Sequence, residues 1–190
     1  MRIKPVKSRS LVVERGKVKD IEPFSVDGQT IPGVQSKPVK FLGRLIDGRL
    51  NDKGARQDMM DLLNSWLQVI DKCALTGVMK CWIYQYLIVP GIQWKLMIYD
   101  VPVSQVEKME VIVSKMLRRW LSVCRSLTSA ALYCHQTMLR LQLEGLTTTL
   151  KKTVVNAALQ LRHSKDNVVT SVKPQMRCGR KWNAERESNS

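Results

Sequence analysis

Cys134-His135 is the one place in this sequence where a thiol and an imidazole are neighbours, with Cys124 ten positions earlier and the second histidine at His163. A thiolate with a general base could do nucleophilic chemistry. Adjacent residues on a helix point in different directions, however, and nothing nearby supplies an oxyanion hole. Structural zinc wants four ligands with short paired spacings, and Cys73, Cys81, Cys124, Cys134 and Cys178 show none. An odd cysteine count without a secretory leader indicates free thiols in a reducing compartment. No glycine-rich phosphate loop is present.

Charge is the stronger signal. Lys+Arg 31 against Asp+Glu 16 gives a formal net charge of +15, which attracts polyanions, nucleic acid first and anionic membrane second. The excess is concentrated at the two ends, in 1–50 and 151–190. Lys115, Arg118, Arg119 and Arg125 could line a groove that tracks phosphates, because basic clusters bind nucleic acid by releasing counterions. A solvated helix face would use the same residue types. Trp66, Trp82, Trp94 and Trp120 could stack on bases, but their positions on apolar stripes assign them to a core.

Those side chains need elements to hold them. Residues 1–50 read as β: Ser10 to Val13 reaches a turn at Arg15-Gly16-Lys17, and Ile21 to Val26 alternates before Asp27-Gly28, with Gln29 to Ile31 returning. Val39 to Ile46 reads as a further strand, broken or bulged at Gly43. From about 53 to 74, Met59, Leu62, Leu63, Trp66, Ile70 and Cys73 have helical spacing. A second helix follows Thr76-Gly77, with Val78, Trp82, Ile83, Tyr86 and Leu87 as its buried side and Pro90-Gly91 ending or kinking it. Ser104 and Glu107 fit a capping box that starts a third helix. Its stripe is Val106, Met109, Val113, Met116, Leu117 and Trp120. A last helix spans about 147–162, with Leu150, Val154, Ala158 and Leu161 on one face.

The apolar run from Cys81 to Trp94 is interrupted by Gln85, Pro90 and Gly91 and meets Lys95, so no transmembrane helix and no membrane partner are expected. The amino terminus lacks the apolar stretch of a signal peptide, which makes an intracellular location, nuclear or cytoplasmic, the expectation. From His163 onward isolated apolar residues cannot offset the entropy of ordering, and 163–190 is expected to be a disordered basic tail.

Read in order, several segments resemble a known family. Lys4-Pro-Val-Lys-Ser-Arg-Ser-Leu11 and Gly16-Lys17-Val18 are similar to the lysine-bearing stretch that follows the catalytic Asp-Asp pair in reverse transcriptases of non-LTR (LINE-type) retrotransposons. Lys37-Pro-Val-Lys-Phe-Leu-Gly-Arg44 resembles the hairpin called the primer grip. Val89-Pro-Gly-Ile-Gln-Trp94, Ile98-Tyr-Asp-Val-Pro102, Val106-Glu-Lys-Met-Glu110, Arg118-Arg-Trp-Leu121 and Ser126 to Tyr133 look like the helical thumb region that follows. The likeness covers roughly residues 3–162.

The resemblance implies that Lys7, or failing that Lys4, lies near a nucleotide's phosphates, and that Phe41, Leu42 and Gly43 pack against a primer backbone. The sequence departs from the family in having no adjacent Asp-Asp pair among its nine aspartates. Two-metal polymerisation needs such carboxylates, and the resemblance places them upstream of Met1. The expectation is therefore an α+β chain with a small antiparallel palm remnant at 1–50, a helical thumb-like bundle at 51–162 and the tail. Its function would be that of a truncated reverse-transcriptase-like protein, binding RNA or an RNA–DNA duplex and not catalytic alone. It would hold no cofactor itself, Mg2+ belonging to a full-length polymerase, and its protein partner would be the missing N-terminal polymerase portion. The rival expectation is a helical protein-interaction module without nucleic-acid function.

Overall fold

A computed structural model of the protein describes residues 4, 7–19, 24–34, 38–41, 43–46, 52–133, 142–171 and 182. Short antiparallel strand pairs are followed by helices, an α+β arrangement. The chain divides into two units, Met1–Ala55 and Arg56–Ser190.

Two-residue turns build the first unit. Strand β1 (Val12–Glu14) pairs with β2 (Lys17–Lys19), with Glu14 opposite Lys17. Strand β3 (Ser25–Val26) pairs with β4 (Gln29–Thr30). The connecting residues Arg15 and Gly16, and Asp27 and Gly28, all have positive φ, between 52° and 75°. That is the turn type whose twist matches paired strands, and glycine enters it without steric cost. The stretch 39–46 is likewise a hairpin, β5 (Val39–Phe41) against β6 (Arg44–Ile46), with Gly43 at φ +85° in the turn. It turns back at Gly43: the residue pattern reads as a single strand broken or bulged there, while the likeness to the primer grip implies a hairpin.

Among the described residues each strand has one partner, so the pairs do not merge into a wider sheet. A parallel bridge of Ser10 to Gly33, with the Ser10 N–H donating to Pro32 O at 3.1 Å and the Val34 N–H to Ser10 O at 2.9 Å, ties segments together beside the buried Ile31 and Val34. An Arg44 Nη2 nitrogen donates to both oxygens of the buried Asp52 at 3.1 Å.

The second unit is helical. Helix α1 (Lys53–Lys72) buries Met59, Leu63, Leu67 and Ile70. Leu67 joins this face where periodicity had put Cys73, which is exposed. Helix α4 (Val103–Trp120) buries Val106, Met109, Val113, Leu117 and Trp120; Met116, also expected in this stripe, is half-buried. The helix starts two residues earlier than the capping box requires: Pro102, not Ser104, is the N-cap. The other end of α4 closes with Ser122 at φ 54°, the Ser122 N–H reaching Arg119 O and the Val123 N–H reaching Arg118 O. This left-handed closure usually falls to glycine.

The largest departure from expectation lies between α1 and α4. Helix α2 (Gly77–Ile83), a π turn (Tyr84–Ile88) and helix α3 (Val89–Ile98) run on without a break. Pro90 does not end the helix because the preceding turn is widened. The Val89 N–H bonds to Tyr84 O, five residues back, and Pro90 falls in the first turn of α3, where a missing N–H costs little. Gly91 admits the Trp66 ring against the backbone, since a Cβ there would lie 2.9 Å from it.

The buried face of this helix is Cys81, Tyr84, Ile88, Val89, Ile92 and Leu96. Val78, Trp82, Tyr86 and Leu87, expected inside, are exposed, as is Trp94. Its few polar residues do not mark a solvent side, since Lys80, Gln85 and Gln93 bond to Asp71, Glu144 and Thr153, and packing on α4 and α6 chose the other face.

Helix α5 (Ser129–Tyr133) and helix α6 (Leu146–Arg162) complete the bundle, α6 packing on α3 and α4. Gly145 at the N-cap of α6 has no side chain to cap with, and Glu110 Oε2 of α4 accepts the Thr147 N–H at 2.9 Å instead. Leu150 and Ala158 are buried, whereas Leu161 is exposed. Within the stretch expected to be a disordered tail there is a short helix, α7 (Asn167–Ser171). Asp166 Oδ1 caps it through the Val168 N–H at 2.8 Å. The rest of that stretch, Trp182 excepted, is outside the described residues. Among the described residues no helix is long and apolar enough to cross a membrane.

Candidate nucleic-acid interface

The residues expected to contact nucleic acid fall in both units. In the first, Lys4 and Lys7 share one tight turn: the N–H groups of Lys7 and Ser8 both donate to Lys4 O, and both lysines are exposed. Phe41 ends β5 opposite Arg44, and Gly43 is exposed in the turn. Leu42 is outside the described residues, and so is the environment of the Phe41 side chain.

In the second unit Arg118 and Arg119 sit in the last turn of α4, and Arg125 lies on the segment leaving it. Lys115, one turn earlier, is exposed, as is Arg125. Arg118 is half-buried: its Nε donates to Leu127 O and its Nη2 to Ser129 Oγ, both at 3.0 Å. These bonds make it a brace for the segment that leads into α5. Arg119 remains 69% exposed while its Nη1 pairs with Asp71 Oδ2 at 3.1 Å.

Asp71, in the last turn of α1, gathers cations that the sequence keeps apart. Its Oδ1 accepts the Trp120 Nε1–H at 2.9 Å, and its backbone carbonyl accepts Lys80 Nζ at 2.8 Å. Lys72, next to it, is exposed. The ends of α1 and α4 and the start of α2 therefore bring Lys80 to the Asp71 backbone carbonyl and Arg119 to its carboxylate, with the exposed Lys72 next in sequence. Gly77 lets the α2 start close against α4, because a Cβ there would run into the Trp120 carbonyl.

No model of a known protein family matches this chain, and no curated protein matches it either. Local chemistry thus supports a functional reading by itself.

The cluster can hold phosphates by charge and hydrogen bonding. Among the described residues no three His, Cys, Asp or Glu side chains gather to hold an ion. The exposed Cys124 thiol is held below its ordinary value, first by the Ser126 hydroxyl 3.4 Å away and then by the Leu127 backbone. His163 is engaged with Leu159 O at 2.8 Å. Cys134 and His135 lie outside the described residues.

Lys72 and Lys80 were missed in the sequence because their relevance depends on a meeting of three helix ends. The visible signal was only a helix ending in Asp71-Lys72 and a lysine eight positions on.

Proposed function

We propose that this chain is a truncated reverse-transcriptase-like retroelement protein that binds RNA or an RNA–DNA primer–template duplex through its phosphates and does not polymerise alone. The observation that supports it is the meeting of Arg119 and Lys80 at Asp71, one on its carboxylate and one on its backbone carbonyl, beside the exposed Lys72, on a chain of net charge +15. Arg119 is both exposed and held in place, so little freedom is lost when a phosphate docks. Lys115 and Arg125 extend the positive surface of the same unit. In the first unit, the exposed Gly43 turn offers close backbone approach and the Lys4–Lys7 turn offers two ammonium groups. Metal-bearing carboxylates would come from the missing polymerase portion, and the complex would work inside the cell, in nucleus or cytoplasm.

Binding of the full chain to an RNA–DNA duplex across a salt series tests the reading. The expected affinity is micromolar or tighter and falls steeply with salt. Lys115→Ala and Arg125→Ala should each reduce the slope of log affinity against log salt by about 1. Affinity no better than that of an unstructured peptide of matched charge, or a slope untouched by both substitutions, overturns it.

A further inference from the structure

The helix formed by α2, the π turn and α3 has two apolar faces. One row, Tyr84, Ile88, Ile92 and Leu96, steps by four residues through the core. The other, Val78, Trp82, Tyr86, Pro90 and Trp94, steps by four along the opposite side and is exposed throughout. Trp82 is 57%, Leu87 68% and Trp94 58% exposed, and Met79 and Met97 flank the row. Sixteen residues separate Val78 from Trp94, which at helical rise makes a strip about 24 Å long. A continuous apolar strip of this kind, rich in Trp, Tyr and Met, has the composition of a protein-binding surface.

Charge narrows the occupant. Between Asp71 and Asp100 the sequence has no acidic residue, and its charges there are Lys72, Lys80 and Lys95. A basic rim favours a partner with acidic flanks. Two copies of a chain carrying +15 would meet with like charges. Nucleic acid fits the strip less well. The Trp82 and Tyr86 rings lie against each other, centroids 5.1 Å apart and tilted by 37°, which leaves no slot for a base between them. The aliphatic neighbours give bases no polar partner.

We infer that the outer face of the α2–α3 helix docks a protein partner, an amphipathic helix whose apolar side is flanked by acidic residues. Such a helix would lay its apolar side along the Val78–Trp94 row, with its carboxylates toward Lys95, next to Trp94. This surface is distinct from the Asp71 cluster and does not depend on nucleic-acid binding.

The probes are two synthetic helical peptides with the same leucine and phenylalanine face, one flanked by glutamates and one by lysines, titrated into the full chain. The glutamate-flanked peptide should bind at least tenfold more tightly. The double substitution Trp82→Ala with Leu87→Ala removes only exposed side chains, so the helical circular dichroism should persist while affinity for this peptide falls tenfold or more. Val111→Ala, an exposed apolar position on α4, should leave the affinity unchanged. Equal or undetectable binding of the two peptides overturns the proposal. So does loss, in the double variant, of self-association in sedimentation, of binding to anionic phosphatidylserine vesicles or of binding to single-stranded oligonucleotide. Each of those would assign the row to a different occupant.

Discussion

The two units hold themselves together by different means. Among the described residues of Met1–Ala55 the strands are two or three residues long, each has one partner, and the buried apolar residues are Ile31 and Val34. Its order is written into turns, where Arg15-Gly16, Asp27-Gly28 and Gly43 adopt conformations that bring neighbouring strands into register. In Arg56–Ser190 long helices bury side chains against one another, and polar contacts such as Gln93 Nε2 to Thr153 Oγ1 at 3.0 Å join α3 to α6. One unit is specified locally and the other by packing, so substitutions should act on them very differently.

The contrast is sharpest in core truncations. Ile92→Ala, at a fully buried position between helices, should lower stability by about 3 kcal/mol in urea unfolding. Ile31→Ala, in a unit with little core to collapse, should cost only about 1 kcal/mol. Equal losses would show that the hairpin unit is held by packing after all. Nearly as large an effect is expected from Gly77→Ala, where the new methyl meets the Trp120 backbone rather than a yielding side chain. A loss of about 2–3 kcal/mol in thermal unfolding is the expected outcome.

Alkaline pH separates the units in another way. The first 55 residues contain no cysteine or tyrosine, whereas burial pushes the Cys81 thiol from 9.0 up to about 11 and the Tyr133 phenol from 10.0 up to about 12. Tyr84 is raised well above 10.0 by burial first, then by Tyr133, Glu110 and Glu144. Each group is neutral when protonated, and the unfolded chain gives up its proton first. Their contribution is therefore intact below about pH 9 and lost as pH climbs through 11 and 12. Cys81 accounts for about 2 kcal/mol of loss by pH 11. Urea midpoints followed by helical circular dichroism should fall over this range, and Cys81→Ala should flatten the part between pH 9 and 11. The smallest expected effect is a gain. Ser122→Gly relieves a left-handed residue at the end of α4 and should raise the thermal midpoint by the equivalent of about 1 kcal/mol.

The same contrast explains what the sequence disclosed. Gly16 and Gly28 act on their own neighbours, so the first two hairpin turns could be read directly. The α4 stripe could be read because Lys108, Lys115 and Arg119 mark its outer side. On α2 and α3 the few polar residues, Lys80, Gln93 and Lys95, mark no outer side, since Lys80 and Gln93 bond to neighbouring helices, and Trp82 and Trp94 were assigned to a core that Ile88 and Ile92 occupy. Arg118 and Arg119 were chosen as a pair by residue type. Only the tertiary structure separates them, giving the first to Leu127 and Ser129 and the second to Asp71.

The π turn has a consequence for phase. In an unbroken α-helix a row of residues four apart drifts about 40° around the axis at each step. One wider turn between α2 and α3 takes back much of that drift, which keeps both apolar rows running along the axis past Pro90. Removing a single residue from 84–88 would restore ordinary α pairing and leave α3 in the phase it now has, because Val89, bonded to Tyr84 O, already occupies the place of the fourth residue after Tyr84. With no residue removed, ordinary α pairing through 84–88 would instead swing α3 by about 100° relative to α2, taking Ile92 and Leu96 out of the core and Trp94 away from Trp82. In that sense one inserted position acts as the alignment key for both sides of the helix.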